Sequence, residues 1–82
     1  MTEFDRISEK IGFGDLKVKD RMLSIPRQGI YYYLWSELHS YSDIGKQSHR
    51  HHSSIIWGVK RFAEFLRVKN PKAIEIWEKI NE

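Results

Sequence analysis

Between Ile55 and Leu66 the apolar residues Ile55, Ile56, Val59, Phe62, Ala63 and Leu66 recur at helical intervals. That spacing gathers all six on one side of an α-helix, whereas a strand would divide them between two faces. Directly before the stripe stands Arg50-His51-His52-Ser53-Ser54, a run of hydrogen-bonding side chains where the helix begins. A helix built this way buries one side against a scaffold and offers its polar first turn to something outside.

The other segments carry the same period. Phe4, Ile7 and Ile11 mark a short amphipathic helix over residues 3–11, closed by Gly12 and Gly14. Residues 15–24 place Leu16, Val18, Met22 and Leu23 among basic residues, which reads as a helical turn leading into a basic loop. Pro26 suits the first turn of the next helix, where its missing N–H costs nothing. Ile30, Leu34 and Leu38 are spaced by four and predict a helix over residues 27–38. The run Tyr31-Tyr32-Tyr33 favours sheets by propensity, but length and period decide for helix.

Ser40 and Asp43 fit a capping box, each side chain bonding the other's backbone N–H, at the start of a short helix that carries Ile44 inward. Gly45 in its interior is unfavourable by roughly 1 kcal/mol unless the missing side chain lets another helix approach. Asn70-Pro71 marks a break, after which Ala73, Ile74, Trp77 and Ile80 give the last helix its apolar side. The expected fold is all-α: a small helical bundle, one domain over residues 1–82, containing a helix-turn-helix at about residues 40–66.

A chain of 82 residues buries only a modest core, which three Trp, four Tyr and four Phe can fill with few positions. Cysteine is absent, so disulfides and thiolate metal sites are excluded. No apolar run is long enough to span a membrane, and the start Met1-Thr2-Glu3-Phe4-Asp5 lacks a signal-peptide layout. A soluble, cytoplasmic protein is expected. The net charge of +3 is unevenly spread: residues 17–61 hold eight Lys and Arg against three Asp and Glu. The basic excess therefore surrounds the polar helix start.

These residues together resemble a known family, the C-terminal DNA-binding domain of the bacterial replication initiator DnaA. Ser40-Tyr41-Ser42-Asp43-Ile44-Gly45 followed by Arg50-His51-His52-Ser53-Ser54-Ile55 is similar to its signature S-x-x-E-I-G, a short turn, then R-D-H-[ST]-T-V. Pro26-Arg27-Gln28 with Leu34, Glu37 and Leu38 looks like the family's R-Q opening and the Y-L-x-x-E-L of its long central helix. Lys17, Lys19 and Arg21 fall where that family has its basic loop. The likeness is most specific over residues 26–61. It implies a TrpR-like helical fold and sequence-specific binding of double-stranded DNA, in replication initiation or its regulation, close to the nucleoid.

On that resemblance Arg50, His51, His52, Ser53 and Ser54 are expected at base edges in the major groove. Lys17, Lys19 and Arg21 are expected in or along the adjacent minor groove. Arg27, Gln28, Lys46, Lys60 and Arg61 are the phosphate candidates, which position a protein without reading sequence. The chain also departs from the pattern. His51 stands where the family has aspartate, so a donor-or-acceptor side chain replaces an acceptor and the preferred base should change. The turn is one residue short, and Gln47 or Ser48 occupies the place of a phenylalanine. Nothing resembles the G-x-x-x-x-G-K-[ST] of an ATPase domain, and Gly12-Phe13-Gly14 is too short to cradle phosphates. A free-standing relative is expected, with self-association or replication proteins as further partners.

His49, His51 and His52, with His39 upstream, raise the question of a metal. Adjacent histidines on one helix point in different directions and no carboxylate is suitably placed by sequence, so no metal and no cofactor are expected. Trp57 lies off the core stripe and is expected to flank the last helix or Trp35. No nucleophile–base pair or paired carboxylate is visible, so neither catalysis nor a small-molecule substrate is expected. The competing reading is a helical protein-interaction module, using Tyr32, Trp57 or the last helix, or a transcriptional regulator on the same fold.

Overall fold

The computed structural model describes residues 1–14 and 23–82, and the expected turn and basic loop with Lys17, Lys19 and Arg21 lie outside the described residues. Among the described residues there are five helices and no strand: α1 (Glu3–Lys10), α2 (Ser24–Ser36), α3 (Tyr41–Ser48), α4 (His52–Arg67) and α5 (Pro71–Ile80). The all-α expectation is met.

Each helix begins and ends for a local reason. In α1 the Asp5 N–H donates to Thr2 Oγ1 at 3.1 Å and the Thr2 N–H returns to Asp5 Oδ2 at 3.2 Å, a complete capping box. Phe4, Ile7 and Ile11 are buried, as their spacing requires. The helix closes through Gly12 at φ 84°, with Gly12 N–H to Glu9 O at 3.0 Å and Phe13 N–H to Ser8 O at 3.1 Å. Asn70 caps α5 by accepting from the Ala73 N–H at 3.1 Å, and Pro71 fills the first helical position.

α2 is the central element and packs against all four others. It starts at Ser24, three residues before the expected Arg27, with Pro26 still inside the first turn. Ile30, Tyr31 and Leu34 are buried. A Cβ on Gly29 would lie 2.9 Å from Ile76 Cγ2 and 3.1 Å from Phe62, so this glycine lets α4 and α5 close on α2. Tyr32 packs on Phe62 and Trp77 at ring-centroid distances of 5.7 and 5.2 Å.

The C-terminus of α2 corrects the sequence reading. The helix stops at Ser36 rather than Leu38, and Leu38 is left-handed (φ 71°) and 94 % exposed. A Schellman closure replaces the continued helix: Leu38 N–H to Trp35 O at 3.0 Å and His39 N–H to Leu34 O at 3.1 Å. The period of four runs through Leu38, but the backbone has turned before reaching it. In α5 the buried side is Ala73, Ile76 and Ile80, with Ile74 and Trp77 half-buried at its flanks. Lys10 Nζ donates to Ile80 O at 2.9 Å and to Glu82 O at 2.8 Å, which ties the end of α5 to α1.

Candidate nucleic-acid interface

Two short helical junctions place the first turn of α4. At the first, Ser40 caps α3 by accepting from the Asp43 N–H at 3.0 Å, as expected. The reciprocal half of the capping box is absent. The Asp43 carboxylate instead meets His39 Nδ1 at 2.7 Å and accepts from Gln47 Nε2 at 2.9 Å. These bonds, His39 first and Gln47 next, hold the Asp43 carboxyl below the usual aspartate range. Gln47 Oε1 accepts from the Phe4 N–H at 2.9 Å, which fastens α1 to α3. A carboxylate thus does stand beside one of the four histidines, contrary to the sequence reading, while the described residues hold no cluster of three or more His, Asp or Glu suited to a metal.

The second junction is residues 49–51. His49 adopts the left-handed conformation (φ 57°, ψ 44°), and the Arg50 N–H returns to Gly45 O at 2.9 Å. Gly45 is required here: a Cβ on it would stand 2.6 Å from the Arg50 carbonyl oxygen. What its missing side chain admits is chiefly the turn's own backbone, with the first nitrogen of α4, His52 N, next at 3.6 Å. Ser48, fully buried, sends its hydroxyl to Ile44 O at 2.8 Å.

α4 is capped by His51, not by a serine. Its Nδ1 accepts from the Ser53 N–H at 3.2 Å and lies 2.8 Å from Ser53 Oγ. The ring must therefore present a lone pair at Nδ1, which leaves the N–H on Nε2. His52 stacks beside it with ring centroids 4.3 Å apart. His51, His52, Ser53 and Ser54 are all exposed, whereas Ile55, Val59 and Phe62 on the opposite side are buried. The sequence-predicted base-contact residues are thus brought together at one helix start.

Arg50 differs from its neighbours. It is half-buried, its Nη1 donates to His49 O at 3.3 Å, and its Nη2 is shielded from solvent without a hydrogen-bond partner. Arg27 on α2 and Arg50 both act on the Tyr31 hydroxyl, which burial pushes above the usual tyrosine range and which the two guanidinium groups and Ser48 pull back. The turn and the start of α2 are therefore neighbours. Gln28, also half-buried, has an Oε1 shielded from solvent and without a partner.

Lys46, Lys60 and Arg61 are exposed on α3 and α4. The Arg61 guanidinium lies over the rings of Trp57 and Phe65, 5.7 and 5.4 Å from their centroids. Trp57 is 62 % exposed, more open than a flank packed against the last helix or Trp35 would be. The reason is rotational: Gly58 and Val59 take the buried side, which leaves Trp57 on the outer one. Sequence reasoning placed Trp57 off the stripe but packed it more closely than the structure does. No protein-family model, curated protein or solved structure matches this chain.

Proposed function

We propose that the chain binds double-stranded DNA in a sequence-specific way, with α3, the turn at residues 49–51 and α4 acting as a helix-turn-helix. One observation carries the reading: the polar start of α4 is exposed from His51 to Ser54 while the helix's other side is locked in the core. A major-groove reader needs a rigid helix whose N-terminal side chains face outward. Lys46, Lys60 and Arg61 supply exposed positive charge beside it for phosphate contact. Arg27, near the same turn through Tyr31, and Gln28, which lies against α4 at Gly58, are placed in the phosphate set with them. Arg50, half-buried with Nη1 bonded to the His49 carbonyl, holds the turn, and its place among the base contacts rests on the resemblance alone. The resemblance over residues 26–61 supports a role in replication initiation or its regulation.

The close contact between His51 Nδ1 and Ser53 Oγ has the spacing of a nucleophile–base pair, yet the same lone pair accepts the Ser53 backbone N–H. We read it as a helix cap without catalytic use. The interaction-module reading loses one of its surfaces, because Tyr32 is half-buried among Trp35, Phe62 and Trp77. Among the described residues no helix is long and apolar enough to cross a membrane.

Selection of bound duplexes from a random pool tests the proposal. One motif should be enriched, and a pool that yields none overturns it. On the selected site, His52→Ala should erase the preference over random DNA. Lys60→Ala should weaken binding to all sequences and reduce the slope of log affinity against log salt by about one.

A further inference from the structure

The outward face of α4 carries Ser53, Trp57 and Lys60 at i, i+4 and i+7, all exposed and opposite the buried Ile55, Val59 and Phe62. Trp57 stands between a side chain assigned to base edges and one assigned to phosphate. Single exposed apolar residues are ordinary on protein surfaces. This one is different in its position: a helix that enters a groove with Ser53 and Lys60 cannot leave the indole between them outside. Arg61, over the indole face, steadies the ring and adds positive charge on the side where a phosphate backbone would pass.

The floor of the major groove is polar except at one group, the C5-methyl of thymine. An indole brought to that floor desolvates base-edge donors and acceptors unless it meets that methyl. We propose that Trp57 is a specificity-determining residue that selects a thymine through its methyl group. The proposal rests on the duplex-binding reading above. The rise from residue 53 to residue 57 is about 6 Å, which sets the preferred thymine roughly two base steps from the pair read by Ser53.

The test is a methyl deletion on the DNA crossed with a side-chain deletion on the protein. In the duplex recovered by selection, each thymine is replaced in turn by deoxyuridine, and affinity is measured for the wild type and for Trp57→Ala. One replacement should weaken the wild type about fourfold, the value of one buried carbon group, and leave Trp57→Ala unaffected. Trp57→Phe should keep part of the discrimination. Thermal melting of each variant, expected unchanged at so exposed a position, guards against misfolding. Equal losses in both proteins, or no loss at any thymine, overturn the role of Trp57 while leaving duplex binding intact. A protein that binds no duplex at all overturns both readings.

Discussion

The two junctions that bracket α3 are built from the same parts and do opposite work. Each contains a non-glycine residue in the left-handed region, Leu38 at φ 71° before α3 and His49 at φ 57° after it. Each then caps the following helix with a side chain, Ser40 or His51. Around Leu38 there is open solvent, and the side chain is 94 % exposed. Around His49 the chain is folded onto Gly45 so closely that no Cβ fits beneath the Arg50 carbonyl. The first junction is a link whose strain nothing exploits. The second is a fixed angle, and it aims the start of α4.

The largest break in this comparison comes from Gly45→Ala. The obstacle is a backbone carbonyl, so overpacking at its stiff end costs about 3 kcal/mol against a helix-propensity gain of about 1, a net loss of about 2 kcal/mol. Chemical denaturation should register that loss, and duplex affinity should fall with it. An unchanged stability would mean that the turn yields freely and does not orient α4.

Leu38→Gly should act in the opposite sense. Left-handed backbone costs a branched residue about 1–2 kcal/mol and glycine almost nothing, although glycine gives part of this back through its freer unfolded chain. A stabilisation of about 1 kcal/mol, with duplex affinity unaltered, would sharpen the contrast between the junctions. A loss of affinity would place the first junction in the site after all.

The smallest effect concerns the clasp of His39, Asp43 and Gln47. The Asp43 carboxyl is held below its ordinary value of 3.8, so its bonds favour the folded state above that value and lose this contribution as pH falls through the depressed folded value. The wild type should therefore exceed Asp43→Asn in stability at neutral pH, and the gap should close in acid. A gap that stays constant with pH would show that the charged form is not what holds the clasp.

Much of this was legible in the chain. The five helices follow from apolar period, from the cap at Ser40 and from the break at Asn70-Pro71, because all are local properties. The exposed cluster from His51 to Ser54 was legible for the same reason: a polar run ahead of an apolar stripe has one side to occupy. The end of α2 was misplaced because Leu38 continues the period in sequence while a Schellman closure turns the backbone first. Asp43 was assigned to its own helix start, yet partners on neighbouring turns, His39 and Gln47, take its carboxylate. The half-burial of Arg50 had no local sign at all.

Period, capping residues and the placement of Pro26 and Pro71 are short-range physics, and the amino-acid order alone determines them. The half-burial of Arg50, the need for glycine at position 45, and the way Gln47 joins α1 to α3 were decided only by the packed fold. Those outcomes depend on how the backbone turns in space, over five residues from Gly45 to Arg50 and over forty-three from Phe4 to Gln47, so distance in space replaces period along the chain as the quantity that sets the energy.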